Sequence, residues 1–266
     1  MLEQALDFQA ESEQLFGLLD RLNEPDWQRA TQFKQWTIND VVAHLHFFNY
    51  AADLSLKDSG AFADLMRDLT RAMKQGVTHL DFTHTSLGGT KGRALMNLWR
   101  DFYHAMTARF KIADPKKRVP WAGPAMSVRS SITARLMETW AHGQAIYDLL
   151  GEKRRDTDRI RNIVVLGINT FGWTFANRAM AVPPNRPYVR LLAPSAAVWE
   201  WGQPDQDKLI EGSAVEFCQV VTQVRNIADT KLRVIGSTAA AWMSIAQCFA
   251  GAPEEPPRPG TRFIQG

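Results

Sequence analysis

Apolar residues recur at three- and four-residue intervals through roughly the first two thirds of the chain, a spacing that predicts a succession of amphipathic helices. Leu15, Leu18, Leu19 and Leu22 belong to a first helix that begins near Leu2 and stops at Asn23-Glu24-Pro25, where proline cannot continue it. The second helix has a marked start: Thr37 caps it, Asp40 stands three residues on, and Trp36 is placed to staple against Val41. Its inward row is Val41, His44, Leu45, Phe48 and Ala52, with His46 pointing elsewhere. Residues 61–78 suggest another helix with Phe62, Leu65, Met66, Leu69 and Met73 inward, followed by a polar loop that leaves His79 and His84 exposed. Gly88-Gly89-Thr90 breaks the chain and caps a helix whose apolar row is Leu95, Leu98, Trp99, Phe102, Tyr103 and Met106; the double glycine lacks a preceding strand and a following GK[ST], so it reads as a turn and not a phosphate loop. A loop from Asp114 to Pro124 precedes a helix capped by Ser127 and closed at Gly151. One more helix runs from Asp158 to Ala181 with Ile160, Val164, Ile168 and Phe171 inward.

The pattern changes at Pro183-Pro184-Asn185-Arg186-Pro187. Beyond it come short β-rich runs, Tyr188–Leu192, Ala197–Trp201 and Lys231–Ile235, interleaved with two helices near Ser213–Val224 and Thr238–Ala250. This arrangement is that of a small α+β domain, so the chain divides into a helical part, 1–182, and a C-terminal part, 183–266, ending in a proline-rich tail without regular structure. No internal repeat of solenoid period is present.

Composition narrows the function classes. With 266 residues, 45% hydrophobic and 22% charged, the chain has enough apolar material for a sizeable core. A net charge of +3, with basic clusters only at Lys116-Lys117-Arg118 and Lys153-Arg154-Arg155, reads as solvated surface and gives no support for nucleic-acid binding. The first residues lack a basic start followed by an apolar run, and no apolar run reaches membrane-spanning length, so a cytoplasmic protein with no membrane partner is expected. Cys218 and Cys248 are far apart and form no CxxC arrangement, which fits small buried apolar residues in a reducing compartment.

The candidate chemistry lies in Arg135–Gly151. Glu138 and His142, four residues apart, project from one side of a helix and share a stripe with Ala145, Ile146 and Leu149 that should face a core. A carboxylate aimed inward needs a partner. A metal ion would be one; a surface pair or a satisfied buried hydrogen bond would be another. His44, inside the apolar stripe of the second helix, supplies a third inward donor, and metal sites in bundles are built from facing helices.

The pattern W-[ST]-x-x-D-V-V-A-H-L from Trp36 to Leu45, the E-x-x-x-H from Glu138 to His142 and a C-terminal helix followed by Gln247-Cys248-Phe249-Ala250-Gly251 make the chain resemble the mycothiol-dependent maleylpyruvate isomerase family and the wider group of DinB-like metal-binding bundles. The resemblance implies an up-and-down, four-helix-type bundle followed by a smaller α+β domain related in fold to sterol carrier proteins. It also implies that His44, Glu138 and His142 hold a divalent metal, zinc in the first place, with nickel or iron compatible with the same donors. Many members of the family carry an acidic residue three positions after the second histidine; here that position is Ala145, with Asp148 as the nearby carboxylate that would compensate in part.

Three protein ligands leave a coordination position open, as in catalytic zinc sites. In the resembled isomerases an external thiol adds to a conjugated double bond, the bond rotates, and the thiol leaves. The resemblance therefore implies an isomerase or S-transferase that uses mycothiol or another low-molecular-weight thiol on a small acidic or thioester substrate. Arg135, one turn before Glu138, and Arg225, at the end of a C-terminal helix, are the cationic candidates for such a substrate, each with an ordinary salt-bridge alternative. Trp140 and Phe48 are placed either to wall the pocket or to fill the core. A second reading of different class is a binding protein, with a structural metal and a C-terminal pocket for an apolar or acyl ligand.

Overall fold

Side-chain caps set the starts of α-helices through much of the first half of the chain. In the computed structural model, which describes residues 1–266, α1 (Glu3–Leu19) is followed by a 3-10 turn (Glu24–Gln28) that opens on Pro25. The next helix, α2 (Ile38–Lys57), begins in a reciprocal box: Thr37 Oγ1 accepts from Asp40 N–H at 3.2 Å, and Asp40 Oδ2 accepts from Thr37 N–H at 2.8 Å. Asp58 caps α3 (Ser59–Lys74), and Thr78 caps α4 (His79–Ser86). Beyond them lie α5 (Gly92–Ile112), the short antiparallel pair β1 (Arg118–Val119) and β2 (Met126–Ser127), and α6 (Val128–Leu149), where Ser127 Oγ accepts from Ser130 N–H at 3.1 Å.

Two of these features differ from the sequence expectation. The polar stretch after residue 78 is a helix, so His79 and His84 are half-buried instead of exposed. Thr90 does not cap α5; its hydroxyl donates to Leu87 O, and Gly92 N–H is taken by the buried Asn39 Oδ1 at 2.7 Å. Gly92 sits at φ 59, in the left-handed region that glycine adopts without the cost a Cβ would add.

α1 and α2 both pack on α5, and the core between them is aromatic and aliphatic: Phe8, Leu15 and Leu19 from α1, Ile38 and Leu45 from α2, Trp99, Tyr103 and Phe110 from α5. His46 also points into this core, its ring 5.2 Å from that of Phe102, and burial pulls its pKa down to about 4. α3 is a thinner cover that buries only Phe62 and Leu69, and Met73 is 53% exposed.

Packing divides the chain at Ile146/Tyr147, well before the change of pattern at 182/183. The second unit contains a 3-10 turn (Asp158–Ile160), α7 (Arg161–Asn169), α8 (Phe171–Ala176), β3 (Tyr188–Leu192), β4 (Val198–Trp201), β5 (Leu209–Ser213), α9 (Ala214–Val221), β6 (Arg233–Ile235) and α10 (Ser237–Ile245). The earlier boundary arises because α7 lies on α9 and α8 on α10. At the first contact a Cβ on Gly167 would meet Val221 Cγ2 at 2.9 Å. The helix expected over 158–181 is broken at Thr170, whose hydroxyl bonds back to Leu166 O and Gly167 O.

The sheet runs in the order β4-β3-β5-β6, with β3 and β5 parallel and both outer pairs antiparallel. Arg154 departs from its expected place at the surface: it is 7% exposed, its guanidinium 4.8 Å from the Tyr147 ring. No helix is long and apolar enough to cross a membrane.

Candidate metal centre

The cap at Thr37 fixes the phase of α2 and so turns His44 toward α6, where Glu138 and His142 lie one turn apart. A single carboxylate oxygen, Glu138 Oε2, stands 3.3 Å from His44 Nε2 and 3.0 Å from His142 Nε2. All three side chains are mostly shielded, at 11% exposure for His44, 18% for Glu138 and 13% for His142.

Electrostatics favours a neutral imidazole facing an ionised carboxylate. Burial, reinforced by the neighbouring His142, lowers the His44 pKa to about 3 against the opposing hydrogen bond that Glu138 accepts. Burial alone would raise the Glu138 carboxyl, but hydrogen bonds from His142 and His44 and the charges of His142 and Arg135 hold it well below the ordinary carboxylate range. Neutral imidazole and carboxylate are the protonation states of metal ligands.

The donor set fits a small divalent ion. The three donor atoms lie within 4.8 Å of one another. A tetrahedral ion with bonds of about 2.0–2.2 Å spaces its donors by about 3.4 Å, close to the 3.3 and 3.0 Å between Glu138 Oε2 and the two imidazole nitrogens. His44 Nδ1 is sealed from solvent with no partner, so this imidazole lacks the outer hydrogen bond that usually orients a ligating histidine.

Rings take over the orienting role. Trp36 stacks on His142 at 5.8 Å and also meets His44 at 5.2 Å; Phe33 packs edge-on against His142 at 5.0 Å, and Phe48 lies 4.7 Å from His44. His79 completes the wall, 5.7 Å from His44 and 5.5 Å from Trp36. Sequence reasoning missed Phe33, Trp36 and His79 as lining residues. The Thr78-x-x-Asp81 cap signal was the clue that would have placed His79 on a helix. His84, on the same helix, donates from Nε2 to Asp40 Oδ1 at 2.7 Å, tying α4 to the start of α2.

The remaining candidates separate. Arg135 lies in the same unit as the cluster, 4% exposed, and the Glu138 charge offsets part of the cost of burying it. Arg225 belongs to the second unit, where its Nη2 donates to Asp148 Oδ1 at 2.7 Å. That contact occupies the carboxylate expected to compensate for Ala145. Trp140 is fully buried core, whereas Phe48 does line the site.

Fold and site together define a helical bundle whose inward faces bring two imidazoles and one carboxylate to a single point, followed by a smaller unit built on a four-stranded sheet. The chain belongs to the family of the mycothiol maleylpyruvate isomerase N-terminal domain, whose sequence profile matches residues 8–147. That match ends where the first packing unit ends. An uncharacterized protein of Mycobacterium tuberculosis, found in strains H37Rv and CDC 1551, is 35% identical over 248 residues, spanning 93% of this chain and 95% of the relative. Crystal structures of the mycothiol-dependent maleylpyruvate isomerase and of a histidine-to-alanine mutant of it superpose with TM-scores of 0.51 and 0.52. They cover 82% of this chain and 87% of theirs at 14% identity, a likeness of fold.

Proposed function

We propose that this protein is a metal-dependent enzyme that uses a low-molecular-weight thiol, mycothiol or a close equivalent, to isomerise or transfer sulfur to a small acidic or thioester substrate. The observation that carries the reading is the convergence of His44, Glu138 and His142 on one point, inside the segment matched by the mycothiol isomerase family. A divalent ion bound there, zinc by its donor set with nickel or iron also accommodated, supplies a Lewis acid that lowers the pKa of a thiol.

The chain's own residues prepare that chemistry. Burial keeps His44 unprotonated, and Glu138 stays ionised through its two imidazole contacts. Trp36, Phe33 and Phe48 crowd the cluster with rings and so exclude bulk water, which strengthens every electrostatic contact inside. Sulfur addition to a conjugated double bond, rotation about the resulting single bond and departure of the sulfur leave no net oxidation, so no further redox partner is required.

Elemental analysis and turnover of the purified protein test the proposal. About one divalent ion per chain is expected, lost on His142→Ala, together with mycothiol-dependent isomerisation of maleylpyruvate or a related conjugated acid. Protein that takes up no ion after dialysis against zinc would refute the ligand assignment, and zinc-loaded protein without any thiol-dependent turnover would refute the enzyme.

A further inference from the structure

Arg135 is 4% exposed, yet its guanidinium donates no hydrogen bond within the protein. Its contacts are with rings: the guanidinium carbon lies 5.0 Å from the Trp121 centroid and 5.9 Å from that of Phe48. Ring faces attract the charge but offer no acceptor for five N–H donors. The nearest opposite charge, Glu138, is turned to its two imidazoles and makes no ion pair with Arg135. A buried charge without an acceptor is costly, and none of its nitrogens is among the sealed, unpartnered atoms such as Trp99 Nε1. They keep a narrow contact with solvent, and with it room for an acceptor from outside the chain.

We propose that Arg135 is the carboxylate subsite of the centre and determines its preference for anionic substrates; in naming a substrate this rests on the enzyme reading above. The planar guanidinium, held against Trp121 and Phe48, takes a carboxylate through paired N–H donors. One ring joins the subsite to the donor cluster: Phe48 lies 4.7 Å from the His44 ring and 5.9 Å from the Arg135 guanidinium carbon, and Arg135 precedes Glu138 by three residues on α6, one turn away. Arg225 is not the equivalent group, because Asp148 already neutralises it.

Calorimetric titration of the zinc-loaded and the metal-free protein with maleate, and with its uncharged diamide, tests this. Maleate should bind at least about tenfold more tightly than the diamide, and Arg135→Gln should weaken maleate by about tenfold or more with zinc content unchanged. Where Arg135→Gln does not fold, the Nε–H signal of Arg135 in 15N-arginine-labelled protein, assigned by its loss in Arg135→Lys, decides: a shift on adding maleate supports the subsite. An unmoved signal at saturation, Arg135→Gln binding maleate within about twofold of the unmodified protein, or no maleate binding up to about 10 mM overturns it. Zinc bound stoichiometrically with maleate indifferent to Arg135 removes the subsite and leaves the enzyme reading standing. Arg135-dependent maleate binding in protein that holds no zinc does the reverse.

Discussion

Trp36 lies within 11° of parallel to the ring of His142, with the two centroids 5.8 Å apart, and the same indole meets His44 at 5.2 Å. One side chain thus constrains both imidazoles of the cluster. Its own position follows from the helix cap, since Trp36 immediately precedes Thr37. Trp36→Ala should lower metal affinity by about tenfold, as loss of an orienting neighbour usually does. The Thr37–Asp40 box remains, so helix content should be unchanged. Competition against a chromophoric chelator measures the affinity; a value equal to that of the unmodified protein would show that the stack does not orient the ligands.

Chelation should destabilise the protein because the donors come from two helices distant in sequence and an ion binds the folded state alone. At a free-ion concentration a hundredfold above Kd the gain is about 2.7 kcal/mol, or about 5–10 °C in melting temperature for a chain of this size. The sign is fixed: chelator lowers the melting temperature and zinc restores it. Melting curves that coincide with the site demonstrably emptied and refilled would rule the coupling out.

Much of the first unit is legible in the sequence, for identifiable physical reasons. The row in α2 has helical period and the cap at Thr37 sets the phase that turns His44 inward, while the four-residue spacing of Glu138 and His142 puts both on one side of α6, so two sides of the candidate site follow from spacing alone. The Ala61–Thr78 expectation overstates burial, because apolar period says which face a residue is on and not whether another helix covers that face. β5 was missed: Leu209-Ile210-Glu211-Gly212-Ser213 is short and does not alternate, and Gly212 at φ 147 is in place because a Cβ would lie 2.9 Å from Leu232 Cδ2. The rings around the cluster come from segments with no shared period, which only tertiary packing brings together.

Asp148 and Arg225 form a buried pair, their side chains 4% and 10% exposed. Removing one partner strands the other's charge, so Asp148→Ala should cost about 3–5 kcal/mol, and Arg225→Ala a comparable amount. Replacing both together, Asp148→Leu with Arg225→Met, should recover part of that loss, because no buried charge is left alone. Denaturant melts of the four proteins give the comparison, and Asp148→Ala with Arg225→Ala together closes the double-mutant cycle. A loss below about 1 kcal/mol for Asp148→Ala would show that the pair is not structural, and Arg225 would return as a cation available to substrate.

The sulfur of the reaction should come from outside the chain. Cys218 and Cys248 are both buried, and burial, reinforced by the neighbouring Cys248 and by Asp156, pushes the Cys218 thiol well above its ordinary pKa. A thiol attacks only as thiolate, so Cys218 stays protonated and inert through neutral and mildly alkaline pH, and its reactivity should not rise as pH is taken from 7 to about 9. Native protein treated with a thiol reagent at pH 8 should therefore keep both cysteines unmodified, and denaturation should release both to the reagent. The double substitution Cys218→Ala with Cys248→Ala is expected to retain metal content and thiol-dependent turnover, at a stability cost of about 1 kcal/mol per site from the lost packing. Turnover abolished while fold and metal persist would mean that one of these sulfurs takes part in the chemistry, and the external thiol would lose its role as nucleophile.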